Sequence, residues 1–124
     1  MNTALWFVQG ILAAVFIAAG VPKIVYSEEK AIAAKLIAPG FTLLQTRLIG
    51  IAEMIGAAGL ILPGVTGIAT VLVAVSAFAL ALIPAGGVAI HLPHPADRRD
   101  LVACVVLIAL CGALVVLRLG YFPL

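Results

Sequence analysis

The chain has 124 residues, 65% of them hydrophobic and 10% charged, with a mean hydropathy of +1.33. Soluble domains average roughly 45–50% apolar and about a quarter charged residues, so a soluble globular fold is excluded and an integral membrane protein indicated. A spanning helix needs about 20 apolar residues, so the length holds one domain of four spans and no separate catalytic domain. The net charge of +2 excludes a nucleic-acid binder, which needs clustered basic residues on one exposed face.

The first span covers about residues 4–22, with Trp6 as an interfacial anchor and Pro22 as its stop. Met1-Asn2-Thr3 lacks the basic start of a secretory signal peptide, so the helix is read as retained. From Ser27 to Ile37 the chain offers an N-cap (Ser27), two acids in the first turn (Glu28, Glu29) and bases later (Lys30, Lys35). With its apolar residues at helical spacing, this segment predicts a short amphipathic helix on the membrane surface, ended by Ala38-Pro39-Gly40.

The second span covers about residues 44–62, starting between Thr42 and Arg47 and closed by a tight turn at Pro63-Gly64. The third covers about residues 66–92, some 25 residues and about 38 Å if wholly helical. That exceeds the roughly 30 Å of hydrocarbon, so tilt or a break is expected, the break falling where Pro84 precedes Ala85-Gly86-Gly87. A polar turn from Pro93 to Asp100 leads to the fourth span, about residues 100–118, closed by Arg118 and the interfacial aromatics Tyr121 and Phe122. The fold class is therefore all-α: an integral membrane four-helix bundle with a short amphipathic surface helix between spans one and two.

Lys and Arg are retained in the cytoplasm, and they fall unevenly here. The end holding the connections after spans one and three carries Lys23, Lys30, Lys35, Arg47, Arg98 and Arg99, and the other end only Arg118. Both termini are thus expected on the non-cytoplasmic side. The two cysteines, Cys104 and Cys111, stand seven residues apart on one helix, about 10 Å between Cα atoms and too far for a disulfide within one molecule. No set of Cys and His has metal-ligand spacing, so no metal site is expected.

One ionisable group lies deep. Glu53 is roughly 12 Å below the start of span two, near the bilayer centre, where an acid costs at least a few kcal/mol and is by default a candidate functional group. On the helix wheel Thr46, Gly50, Glu53, Ala57 and Leu60 share one sector of about 80°, a face small enough for a backbone or a flat ligand to approach. Arg47 lies about 120° away on the wheel and about 9 Å nearer the interface, which aims it outward. Glu53 is accordingly expected as a protonated acid, with burial disfavouring its charge. Lys23, Arg47 and His91 converge at the mouth above it. Gln9 in span one offers a hydrogen-bonding group to a ligand or to another helix, and His94, between two prolines, reads as surface.

The runs Phe16-Ile17-Ala18-Ala19-Gly20-Val21-Pro22-Lys23-Ile24, Arg47-Leu48-Ile49-Gly50-Ile51-Ala52-Glu53-Met54-Ile55-Gly56-Ala57-Ala58-Gly59-Leu60-Ile61-Leu62-Pro63 and Val88-Ala89-Ile90-His91-Leu92 resemble the DoxX-like family of small four-span bacterial membrane proteins. The resemblance covers essentially the whole chain, and the second run is its specific part. It implies a four-helix bundle in the bacterial inner (plasma) membrane, with Lys23, Arg47, Glu53 and His91 on the family's characteristic positions. Pro93 stands where many members carry a basic residue. The wider DoxX group includes a subunit of a thiosulfate:quinone oxidoreductase and proteins linked to redox stress, while most DoxX-like members have no assigned reaction.

Three functions are compatible with these residues. The first is an intramembrane polar pocket around Glu53 for a small quinone- or isoprenoid-like molecule, with Lys23, Gln9 and Gly50 as binding residues and a redox link through that molecule. The second is acid–base catalysis on a lipophilic substrate (isomerisation, cyclisation or epoxide opening) by Glu53, His91 and Arg47. The third is a structural subunit of a membrane complex, with the lipid bilayer, a partner subunit or a second copy as its partners. No haem, flavin, iron–sulfur or nicotinamide motif occurs, which leaves the cofactor open.

Overall fold

The computed structural model describes residues 2–37, 40–92 and 98–120, with the side chains of Asn2, Ile90 and His91 outside that description. The expected stop at Ala38-Pro39, the turn residues 93–97 with His94, and the aromatics Tyr121 and Phe122 lie outside the described residues. Five helices follow in order: α1 (Asn2–Val25), α2 (Glu28–Ala33), α3 (Leu43–Thr66), α4 (Val71–His91) and α5 (Arg98–Gly120). All but α2 are long and apolar enough to cross a membrane, and large apolar side chains such as Phe7, Ile55, Val65 and Phe78 point outward, as a lipid solvent requires. α3 packs between α1 and α4, α4 packs along α5, and α1 meets α5 far less extensively.

The helix ends follow local chemistry where caps exist. Ser27 accepts a hydrogen bond from the Lys30 N–H at the start of α2. Thr42 and Gln45 form a reciprocal capping box at the start of α3. α2 ends four residues earlier than the apolar spacing predicts. Lys35 turns left-handed at φ 58°, and the Lys35 and Leu36 N–H groups donate to the Ile32 and Ala31 carbonyls, the Schellman pattern usually built on glycine. A side chain in that conformation costs on the order of 1 kcal/mol, so Lys35→Gly should raise unfolding stability by about 0.5–1 kcal/mol, read as a higher thermal midpoint in detergent.

Three prolines do not act as sequence punctuation suggests. Pro22 lies inside α1, Pro63 inside α3 and Pro84 inside α4, so the expected stop at Pro22, turn at Pro63-Gly64 and break at Pro84 are all corrected. The α3–α4 turn falls later, at Gly67 with φ 72° and Ala69 with φ 50°. In hydrocarbon no water can satisfy an opened backbone. Losing the one proline N–H therefore costs less than ending the helix and exposing several N–H and C=O groups.

Between helices in lipid there is little hydrophobic driving force, so close approach of small residues holds them together. A Cβ placed on Gly20 would lie 2.9 Å from the Gly50 carbonyl oxygen, and one on Gly50 would lie 2.8 Å from the Gly20 carbonyl oxygen. The backbones of α1 and α3 therefore touch at this crossing. Leu80 of α4 fills the space beside Gly56, Ser76 that beside Gly59, and the Cys104 thiol that beside Gly87. The contiguous apolar core runs from Leu5, Leu12 and Phe16 of α1 through Leu60 and Leu80 to Cys111 and Leu114.

Candidate functional site

All five residues that the helix wheel placed together, Thr46, Gly50, Glu53, Ala57 and Leu60, are buried, so this face of α3 points into the bundle. Glu53 is only 1% exposed. Its carboxylate is not an isolated acid: Lys23 donates from Nζ to Oε1 at 2.5 Å, making an ion pair between α1 and α3. The Gly20–Gly50 crossing makes this geometrically possible, since a Cβ on Gly50 would come within 2.9 Å of the Lys23 Cβ. With the two backbones in contact, a lysine one turn beyond Gly20 reaches a carboxylate one turn beyond Gly50. The expectation that Glu53 has no cationic partner is corrected by this pairing.

Arg47 turns neither to Glu53 nor outward. Its guanidinium donates to the Ile24 carbonyl and, at 3.0 Å, to the Tyr26 carbonyl, where the end of α1 leaves acceptors without intrahelical donors. An arginine there also complements the negative end of the α1 dipole. Arg47 is thus a clasp on α1, and its planar fork suits two acceptors better than a lysine would. Lys23, Glu53, Arg47 and Gly50 form one group. His91 ends α4 at the same end of the bundle, and its expected approach to Glu53 lies outside the described side chains.

Gln9 does not join this group. It lies 14 residues before Lys23 on α1, about 21 Å away along the helix. There it is fully buried, donating to the Leu60 carbonyl at 2.7 Å and accepting from Arg118 Nε at 2.8 Å. Trp6 stacks against the same guanidinium, 5.7 Å from ring centroid to Cζ. Gln9 therefore fastens α1 to α3 and α5 at the end opposite Lys23. Arg118, read from sequence as an interfacial charge closing span four, is 4% exposed. Its signal was present in the spacing, because Cys111, Leu114 and Arg118 recur on one helical face. That face could not be told from the lipid-facing ones, since α5 is apolar all round.

Cys104 and Cys111 are free thiols, as their spacing requires. Among the described residues no group of three His, Cys, Asp or Glu side chains could hold a metal ion. A family model described as the DoxX-like family matches residues 7–115. No curated protein and no solved structure matches the chain.

Proposed function

The chain belongs to the DoxX-like family and is a multi-pass membrane protein, and from that premise we propose that it binds a small lipophilic molecule beside the Lys23–Glu53 pair. One observation carries the reading: a carboxylate 1% exposed is held against an ammonium inside a membrane bundle. Intramembrane charges are expensive and characteristically serve substrate or proton pathways. A pair that only locked helices could be replaced by apolar packing at little cost. The ligand is of the quinone or isoprenoid kind, held for binding or for redox coupling, with Lys23 addressing its polar atoms and Glu53 holding Lys23 in place. The bundle lies in the plasma membrane with both termini outside the cytoplasm, because Lys23, Lys30, Lys35, Arg47, Arg98 and Arg99 sit at the opposite end.

A second reading, acid–base catalysis on a lipophilic substrate, draws support from the direct hydrogen bond between Lys23 and Glu53, which sets a proton donor and an acceptor side by side within the bundle. Both readings meet one experiment. Protein purified in mild detergent should release a lipophilic molecule in native mass spectrometry or solvent extraction. The charge-neutral double variant Lys23→Gln/Glu53→Gln should stay folded and lose it. Retention of the molecule by the folded double variant, or its absence from the wild type, would overturn the binding proposal and leave helix locking as the role of the pair.

A further inference from the structure

Resting on that binding reading, we infer that the ligand reaches Lys23 sideways from the bilayer, through a seam between α1 and α5 that is shut at one end and open at the other. The buried residues of α5, Cys111, Leu114 and Arg118, all lie in its second half, and no residue from Arg98 to Leu110 is buried. The apolar core takes residues of α5 only from Leu107 onward and residues of α1 only up to Phe16. α1 and α5 run antiparallel as first and fourth spans, so these limits coincide at one level. On the terminus side of it the seam is closed by the Gln9–Arg118 hydrogen bond and the Trp6 stack. On the other side α1 and α5 share no core residue among the described residues, and that half holds Lys23.

The two members of the ion pair differ in exposure: the Lys23 side chain is 19% exposed and that of Glu53 2%. The carboxylate is sealed, and part of the lysine side chain stays open. Cys104 lies two turns before Cys111 on the same face of α5, in the half without buried residues, its thiol against Gly87 of α4, and it is partly exposed where Cys111 is buried. One N–H of the ammonium goes to Glu53, and an ammonium carries three. The occupant that complements this opening is an amphiphile with a carbonyl or carboxylate oxygen as head, accepting from Lys23, and an apolar tail left in the lipid. A hydrocarbon lacks the acceptor, and a small hydrophilic solute does not partition to the seam.

Cys104 serves as the reporter. In phosphatidylcholine vesicles at alkaline pH, where thiolate is populated, the membrane-soluble N-phenylmaleimide should alkylate Cys104 at least about tenfold faster than the buried Cys111. Cys104→Ser and Cys111→Ser assign the two rates. Oleate and 2-nonadecanone, a long-chain ketone that does not react with thiols, should each slow the Cys104 reaction several-fold, and the stronger of the two identifies the head group as carboxylate or carbonyl. Hexadecane should have no effect. Lys23→Gln/Glu53→Gln should abolish the protection while Cys111 stays unreactive, which certifies the fold. Equal rates at the two cysteines, protection by hexadecane, or protection that survives the double variant would overturn the lateral seam. Should a molecule co-purify with the protein and depend on the pair while Cys104 remains indifferent to it, the seam fails and the binding reading stands.

Discussion

Lys23→Gln is expected to lower unfolding stability by about 3–5 kcal/mol, because it leaves the Glu53 carboxylate buried without its partner, and Glu53→Gln, which leaves the part-exposed Lys23, should cost less. The charge-neutral double variant should lose far less than the sum, and the difference is the coupling energy of the pair. Fluorescence of Trp6, the single tryptophan, read while sodium dodecyl sulfate is titrated into mixed micelles, would measure all four states. Neutralising Arg47 should not rescue Glu53→Gln, because Arg47 binds the Ile24 and Tyr26 carbonyls rather than the carboxylate. Losses that simply add for Lys23 and Glu53, or a rescue by Arg47→Gln, would contradict the pairing.

Gly50→Ala should be the most damaging single-methyl change in the protein. The new Cβ would stand 2.8 Å from the Gly20 carbonyl oxygen, 2.9 Å from the Lys23 Cβ and 3.1 Å from an Ile24 methylene. The first of these is backbone and cannot rotate away, so α1 and α3 must separate. Overpacking of this kind costs about 1–3 kcal/mol. Here the separation also draws Lys23 away from Glu53, so part of the ion-pair coupling should go with it. Gly20→Ala, which meets the Gly50 carbonyl oxygen at 2.9 Å, should behave alike. Gly112→Ala, with nothing within 4 Å of its Cβ, should cost nothing and serves as the control. If Gly50→Ala unfolds at the same detergent fraction as Gly112→Ala, the close crossing is wrong. The small face around Gly50 admits a backbone or a flat ligand, and a loss of stability in ligand-free protein separates the packing role from the binding one.

Composition and hydropathy alone determined the membrane class and the four spans, because lipid admits so few solutions to backbone hydrogen bonding, and the cap and apolar spacing after Ser27 gave the short helix between the first two. The inward face of α3 was also legible: Glu53 cannot face lipid cheaply, and the 3.6-residue period carries Thr46, Gly50, Ala57 and Leu60 with it. The start of the short helix was legible at Ser27, where a side chain supplies the missing acceptor, and the Thr42–Gln45 capping box fixed the start of α3 within the range the sequence left open. Helix ends were not legible at Pro22, Pro63 and Pro84, since the rule that proline stops a helix assumes water ready to take over the freed groups. Which cation meets Glu53 was decided only by the tertiary structure. Sequence separation set Lys23 thirty residues from its partner, and only the contact of two glycine backbones brings them to 2.5 Å. The Gln9–Arg118 tie, 109 residues apart in sequence, has the same character. In a chain whose helices are apolar all round, periodicity cannot say which stripe of α5 faces the bundle, and packing against α1 makes that choice.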